Sequence, residues 1–150
     1  MTVHAGACHC GAMRVAFETA KSVSDIAVRA CQCGFCRAHG ACNISDGEGR
    51  VTIAVDAPYV FRYRFGLRTS DFLICRTCGV YAAAVIGEGV RLRSTVNVVG
   101  LGLAAFLDLE QAPAEYGDET TQARIARRFA SWTPTTFTDG ALAASYFGPH

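Results

Sequence analysis

Short stretches in which apolar and polar residues alternate dominate the first two thirds of the chain. Successive side chains of a strand point to opposite faces, so this alternation predicts strands with one face in a core. The predicted strands are residues 13–18, 25–30, 51–55, 59–64, 72–75, 80–86 and 90–99. The turn-forming segments between them, notably Asp46-Gly47-Glu48-Gly49 and Gly87-Glu88-Gly89, recur at intervals typical of an antiparallel all-β domain. We therefore expect a mainly β fold.

The last third of the chain changes character. Residues 119–130 contain strong helix formers, with the apolar Ile125 and Phe129 one turn apart and arginines around them, which predicts a short amphipathic surface helix. Residues 96–109 form the longest apolar region, but it falls well short of the roughly 20 residues that cross a membrane, so we expect it in the core. The tail from Trp132 onward packs either on the sheet or on a partner chain in a homodimer, and the pattern does not choose between them.

Composition favours one compact domain. At 150 residues and 51% hydrophobic content the chain can bury a single core, so we expect one domain over residues 1–150, with a core at about 4–110 and a C-terminal helix and tail at 111–150. Balanced charges, with a formal net charge of +1, provide no broad basic field for nucleic acid or anionic lipid. Residues 1–11 lack the features of a secretory signal, so we expect a cytoplasmic protein with reduced thiols.

Eight cysteines in a reducing compartment favour metal binding over disulfides. Four of them form the pairs Cys8-His9-Cys10-Gly11 and Cys75-Arg76-Thr77-Cys78-Gly79. Residues i and i+2 of an extended segment share a face, so the first pair can reach one ion together, and a CxxC turn lets the second pair do the same. Each pair is followed by a glycine, and the glycine after Cys78 permits the positive φ of a tight knuckle. We expect one closed structural zinc site, with an iron–sulfur centre as the main alternative.

A second group of thiols, Cys31-Gln32-Cys33-Gly34-Phe35-Cys36, offers three more sulfurs. Three protein ligands with one open position are the pattern of a catalytic zinc. A thiol bound at the open position would ionise near neutral pH and attack a carbon electrophile. Alternatively, Cys42 folds back past a predicted helical turn at residues 35–39 and closes a second structural site. His9 and His39 are further potential ligands, although we expect both on the surface.

Three motifs occur in a distinctive order: Gly6-Ala7-Cys8-His9-Cys10-Gly11-Ala12-Met13-Arg14, Cys31-x-Cys33-x-x-Cys36-Arg37-x-x-Gly40-Ala41 and Cys75-x-x-Cys78-Gly79. Together they resemble the glutathione-dependent formaldehyde-activating enzyme family, which includes the centromere-protein-V-like proteins. The resemblance covers about residues 4–99. It implies a β-tent fold of packed antiparallel sheets. It further implies a structural zinc on the two outer pairs, Cys8, Cys10, Cys75 and Cys78, and a labile or catalytic zinc on the central triplet, Cys31, Cys33 and Cys36.

The resemblance also implies an activity. Enzymes of that family are carbon–sulfur lyases that reversibly condense glutathione with formaldehyde to S-(hydroxymethyl)glutathione, with the sulfur held as thiolate at or near the triplet zinc. A similar thiol or another small electrophile would suit the same site. Arg37, directly after the triplet, is the candidate for holding a substrate carboxylate in a bidentate manner. Its alternative role is that of a solvated arginine that balances excess thiolate charge.

Two other functions compete with a lyase. The first is a non-enzymatic zinc-binding interaction module with two structural zinc sites, which would dock a partner through a sheet face or through the tail that carries Trp132. A second site closed by Cys42 would favour this module. The second is a redox relay in which the triplet forms a mixed disulfide with glutathione, and its sign would be activity that survives full metal removal.

Overall fold

The fold of the chain is mainly β, as a computed structural model shows for residues 1–147. The strands of this described part are β1 Thr2–Ala7, β2 Arg14–Thr19, β3 Val28–Cys31, β4 Asn43–Ile44, β5 Arg50–Ala54, β6 Val60–Tyr63, β7 Asp71–Cys75, β8 Tyr81–Glu88, β9 Arg91–Asn97, β10 Gln111–Ala114 and β11 Thr133–Phe137. The α-helices are α1 Gly34–His39, α2 Val98–Leu101, α3 Ala104–Leu107, α4 Thr121–Ser131 and α5 Gly140–Phe147. Short 3-10 turns at Val23–Asp25 and Ala57–Tyr59 precede β3 and β6.

All of these strands join one mixed sheet built around β9. On one side the order runs β9-β4-β3-β10, and on the other it runs β9-β11-β5-β2-β1. Strands β8, β7 and β6 continue in turn from β9 as a further antiparallel branch. The expected antiparallel pairing holds for most of the sheet, but β10 pairs with β3 and β11 with β5 in parallel. Both parallel strands come from the C-terminal segment, whose long connections allow either direction.

Most of the predicted strands lie within a residue or two of observed ones. The prediction at residues 25–30 was wrong in its first half, because the chain makes a 3-10 turn there and the strand begins only at Val28. The last predicted strand ends earlier than expected, since the side chain of Asn97 accepts a hydrogen bond from the Val99 N–H at 3.2 Å and starts α2. Strands β1, β4, β10 and β11 were missed, because they lack a clear alternation of apolar and polar residues.

Strand β8 is buried on both faces and divides the interior into two clusters. Ala83 and Val85 point into the main core, whereas Tyr81, Ala84 and Ile86 belong to a second cluster that also contains Cys36. For residues 83–86 this division follows from the period of two along a strand. Tyr81 departs from that period because the register between β7 and β8 shifts beside it. The second cluster places aromatic side chains directly beside one of the predicted metal-binding motifs.

The C-terminal segment is part of the sheet. Strand β11 inserts between β5 and β9, and Trp132, which precedes it, is only 4% exposed. The tail therefore packs on its own chain, and Trp132 offers no docking side chain. Helix α4 forms as predicted, with Thr120 accepting a hydrogen bond from the Ala123 N–H at 3.1 Å. No helix in residues 1–147 combines the length and the apolar character that a membrane crossing requires.

Gly6 of β1 lies against the backbone at the end of α2. A Cβ at this position would collide with the Leu101 carbonyl oxygen and would lie 2.8 Å from Leu103 Cδ2. We expect Gly6→Ala to reduce the free energy of unfolding by about 1–3 kcal/mol, as overpacking does elsewhere, measured by urea denaturation. Gly140→Ala is the matched control, because its Cβ would meet no atom within 4 Å. Equal stability of the two variants would contradict the packing described for β1.

Candidate metal centres and the adjoining cavity

The two outer cysteine pairs converge from parts of the chain that are far apart in sequence. Cys8 and Cys10 lie in a turn, closed by a hydrogen bond from the Gly11 N–H to the Cys8 carbonyl at 3.0 Å. The expected extended segment was wrong here: the turn brings the two sulfurs together instead of a shared strand face. The knuckle after β7 is built alike, with the Gly79 N–H bonded to the Cys75 carbonyl at 2.9 Å.

Gly79 takes the backbone conformation that was predicted for it, and Gly11 takes the same one. Gly11 has φ of 82° and Gly79 has φ of 78°, in the left-handed region that residues with a Cβ rarely enter. Each turn folds back far enough for its two thiols to face the same point. A side chain at either glycine would strain the knuckle even though the surrounding space is open.

The four sulfurs of Cys8, Cys10, Cys75 and Cys78 all lie within 4.8 Å of one another. The Sγ atoms of Cys8 and Cys10 are 3.7 Å apart, and those of Cys10 and Cys75 are 3.6 Å apart. Four sulfurs placed about 2.3 Å from a central ion at the corners of a tetrahedron would be about 3.8 Å apart. The cluster therefore fits a tetrahedral metal ion, and we call it the closed site.

The second cysteine motif forms a separate cluster of three sulfurs. Cys31, Cys33 and Cys36 also lie within 4.8 Å of one another. Cys31 ends β3, Cys33 is the N-cap of α1, and the Cys36 N–H points to the Cys33 sulfur at 3.4 Å. Strand β10 steadies this loop, because the Gln32 N–H donates to the Ala114 carbonyl at 3.0 Å. We call these three cysteines the triplet.

Crowding of the three thiols separates their pKa values. Hydrogen bonds from Cys31 and Cys36 lower the pKa of Cys33 far below that of a free cysteine, against the effect of its partial burial. The same contacts, Cys31 first, raise the pKa of Cys36, and the contact with Cys33 raises that of Cys31. One negative charge is thus stabilised at Cys33 and a second is disfavoured. A bound cation is what would allow all three sulfurs to be thiolates together.

Cys42 does not complete the triplet. Its side chain is 4% exposed and packs in the main core, and its backbone N–H donates to Asn97 Oδ1 at 3.2 Å. Among the residues that the structure describes, no fourth cysteine, histidine or carboxylate belongs to the triplet cluster. The alternative of a second site closed by Cys42 is therefore wrong. His9 and His39 are both exposed, as expected, and belong to neither cluster.

The triplet opens into a cavity of about 210 Å³ between the sheet and α4. All three triplet cysteines line it, together with four arginines, Arg29 of β3 and Arg124, Arg127 and Arg128 of α4. Arg37 is exposed on α1 and is not among the lining residues. The arginines that line the cavity are thus different from the one that follows the triplet in sequence. The sequence pattern predicted the arginines of α4 on a surface helix and not in a cavity wall. Arg29 was not predicted as a site residue.

Two of these arginines share one carboxylate. Glu119 accepts hydrogen bonds from Arg127 Nε at 2.7 Å and from Arg124 Nε at 3.2 Å. The two guanidiniums, Arg127 first, lower the pKa of Glu119 and keep it ionised. Arg127 also lies over the ring of Tyr116 at 3.7 Å, and Arg124 donates to the Tyr116 carbonyl at 2.7 Å. These contacts hold the connection between β10 and α4 across the cavity.

The other two arginines are bonded only to neutral groups within residues 1–146. Arg128 Nη1 donates to Ser70 Oγ at 2.6 Å and to Thr69 Oγ1 at 2.8 Å. Arg29 Nη2 donates to Ser45 Oγ at 2.8 Å and to Thr95 Oγ1 at 3.1 Å. Neither guanidinium forms an ion pair with a carboxylate of this part of the chain. Two of the four arginines that line the cavity are therefore cations without a carboxylate partner among the described residues.

Asn43 and Tyr81 connect the triplet to the rest of the cavity wall. Tyr81 Oη donates to Asn43 Oδ1 at 3.3 Å, and Asn43 Nδ2 lies 3.9 Å from the Cys36 sulfur. Burial, followed by the charges of the triplet, raises the pKa of Tyr81 well above its usual value, so the phenol stays protonated. Phe35 packs edge-on against Tyr81 at 5.0 Å and against Phe72 at 4.9 Å, which makes this side of the triplet apolar.

Comparison with solved structures finds a relative of this chain. No family model matches the chain, and no curated protein matches it. A crystal structure of a Rhodobacter sphaeroides protein, a Northeast Structural Genomics target, superimposes with a TM-score of 0.56 at 30% sequence identity. The match covers 75% of this chain and 99% of that one. The two chains belong to one family. The description of the Rhodobacter sphaeroides protein states no reaction, so this kinship supports the fold alone.

The geometry predicts two metal ions per chain, and the triplet ion is expected to depend on Cys33 but not on Cys42. We expect Cys33→Ser to lower the metal content from about two ions to about one, because two sulfurs hold an ion poorly. Cys42→Ser, the same chemical change at a buried thiol outside both clusters, should leave the content unchanged. Elemental analysis of the purified variants measures both. Loss of an ion from the Cys42 variant would contradict the three-sulfur site.

Proposed function

We propose that the chain is a zinc-dependent carbon–sulfur lyase that joins a small thiol to a small carbon electrophile at the triplet. The observation that carries this proposal is the open cluster: three sulfurs converge without a fourth protein ligand and face a cavity. A zinc ion there would supply the positive charge that stabilises a substrate thiolate. The order of the cysteine motifs, which resembles the glutathione-dependent formaldehyde-activating enzymes, makes glutathione and formaldehyde the substrates to test first.

The proposed reaction forms one bond between sulfur and carbon. The sulfur of the thiol adds to the carbonyl carbon, and the proton that the thiol loses ends on the carbonyl oxygen, so no oxidant or reductant is needed. Residues of this chain would bind and orient the reactants. The hydroxyl of Tyr81 and the amide of Asn43 provide polar contacts on the cavity wall beside Cys36.

An apolar wall beside the triplet supports this chemistry. Phe35 stacks on Phe65 at 5.2 Å, and Phe65 packs on Phe72 at 4.7 Å. These rings reduce the access of water to the sulfurs. Electrostatic stabilisation of a thiolate is stronger where water is scarce. The closed site, by contrast, uses all four of its ligand positions for protein sulfurs, which suits a structural ion.

Turnover should depend on the triplet and not on Cys42. In a formaldehyde and glutathione exchange assay we expect Cys33→Ser to reduce the rate to that of the uncatalysed reaction, because the thiolate-stabilising ion is lost. Cys42→Ser should retain activity within about twofold of the parent protein. A full rate for the Cys33 variant would refute the proposal. Activity of the parent protein after complete metal removal would instead support the redox relay.

The second candidate, a non-enzymatic interaction module, is favoured by one feature of the surface. Tyr59, Phe61 and Tyr63 at β6 are exposed, and β6 pairs only with β7 within the described sheet. Exposed aromatic side chains on a strand of this kind can dock a partner. The open triplet and its cavity have no part in that function. Absence of turnover with any thiol, together with retained metal, would favour the module.

A further inference from the structure

Arg128 is a buried cation whose hydrogen-bonding capacity is only partly used. Its side chain lines the cavity, and the residue is 9% exposed. The Nη1 group bonds to the hydroxyls of Ser70 and Thr69, and the guanidinium lies over the ring of Trp132 at 4.7 Å. Nε is buried without an acceptor, and Nη2 has none within residues 1–146.

A cation in this position destabilises the free protein. A buried donor without an acceptor is unfavourable, and a buried charge without a counter-ion is more so. Burial, together with the neighbouring Arg127 and Arg124, lowers the pKa of Arg128 to about 10, which shows that the site resists the positive charge. An anion that enters the cavity would relieve both costs.

Arg29 approaches the same cavity from the opposite wall. It lies on β3 two residues before Cys31, so both side chains point to the same face of the strand. Its Nη2 group is held by the hydroxyls of Ser45 and Thr95, while Nη1 and Nε have no acceptor in the described residues. Hydroxyl contacts fix both guanidiniums in place without neutralising them.

We propose that Arg128 and Arg29 form a subsite that binds a carboxylate of the substrate. A guanidinium offers parallel N–H groups that match the two oxygens of a carboxylate. No glutamate of the described residues is the counter-ion of Arg128 or Arg29. Glu119 pairs with Arg124 and Arg127 instead. Glu115 lines the cavity but forms no ion pair with any of the four arginines.

The subsite lies close enough to the triplet for one small molecule to reach both. The three sulfurs and the four guanidiniums line a single cavity of about 210 Å³. Tyr81 lines the same cavity, and its hydroxyl donates to Asn43, whose side-chain amide lies 3.9 Å from the Cys36 sulfur. Formaldehyde carries no charge and requires no guanidinium. One reactant therefore bears a carboxylate. Only the statement that this ligand is a substrate rests on the proposed function.

The competing explanation is that these arginines only balance the negative charge of a metal-bound triplet. A zinc ion with three thiolates carries one net negative charge, and nearby guanidiniums would offset it. Compensation predicts that removing Arg128 weakens metal retention and leaves the binding of added anions unaffected. A carboxylate subsite predicts the reverse.

Binding of a probe that contains neither thiol nor aldehyde tests the subsite independently of catalysis. We would titrate the metal-loaded protein with succinate, with inorganic phosphate and with uncharged succinamide, by isothermal titration calorimetry. The variants are Arg128→Gln and Arg29→Gln. Arg37→Gln is the matched control, because this arginine follows the triplet in sequence but is exposed and lies outside the cavity lining.

The proposal predicts that succinate binds and succinamide does not. Each cavity variant should weaken succinate binding at least about tenfold, as loss of a charge-assisted hydrogen bond does, with about two metal ions retained. The control should bind as the parent protein does. Absence of succinate binding, binding of phosphate alone, or an effect of Arg37→Gln that equals that of Arg128→Gln would each overturn it. If Arg128→Gln fails to fold, Arg29→Gln decides the outcome by the same criteria.

If succinate binds as expected, the role of the subsite in the lyase reaction is tested in a separate experiment. With an active enzyme, Arg128→Gln should lower kcat/KM at least about tenfold for a thiol or aldehyde that carries a carboxylate, and by less than twofold for a neutral pair such as 2-mercaptoethanol and formaldehyde. An equal loss for charged and neutral reactants would show a structural role for Arg128 and overturn the subsite.

Discussion

Crowding of sulfur atoms is the constraint on which the rest of this structure depends. Seven of the eight cysteines lie in two clusters, and within each cluster the sulfurs are no more than 4.8 Å apart. Thiolates at such distances repel one another, so the clusters are stable as anions only around a cation. The closed site then ties the turn at Cys8 and Cys10 to the knuckle at Cys75 and Cys78, which joins the N-terminal turn to β7. The triplet fixes the end of β3 to the start of α1.

The two clusters differ in what the fold leaves around them. The closed site has four sulfurs with tetrahedral spacing and needs no further ligand. The triplet has three, and the nearby Cys42 is directed into the core by its contacts with Asn97 and the surrounding strands. The C-terminal segment then builds the opposite wall of a cavity, with β10 beside β3 and α4 across the opening. Strand pairing thus places the cysteine triplet in the wall of a cavity.

Structural features that depend on the spacing of residues within a short segment could be predicted from the sequence. The triplet, the knuckle at Gly79 and α4 follow from local patterns and were confirmed. The two outer cysteine pairs are far apart in the sequence, and their convergence could be predicted because each pair offers half of a four-ligand set. Other contacts between distant segments were not accessible. Arg37 was preferred because it follows Cys36, whereas the cavity that Cys36 lines is also lined by Arg128 of α4. One signal was present in the sequence: Arg29 and Cys31 share a strand face. Parallel pairing of β10 and β11 could not be inferred, because it depends on where the tail returns to the sheet.

The number of sulfur ligands around each metal ion is the measurement that tests the account most directly. X-ray absorption at the zinc edge reports the average number of sulfur ligands per ion. One four-sulfur and one three-sulfur site predict about 3.5 sulfurs and about 0.5 oxygen or nitrogen atoms per zinc, with a rise to about four sulfurs when a small thiol such as 2-mercaptoethanol is added. Four sulfurs per zinc before any thiol is added, with no change afterwards, would contradict an open position at the triplet.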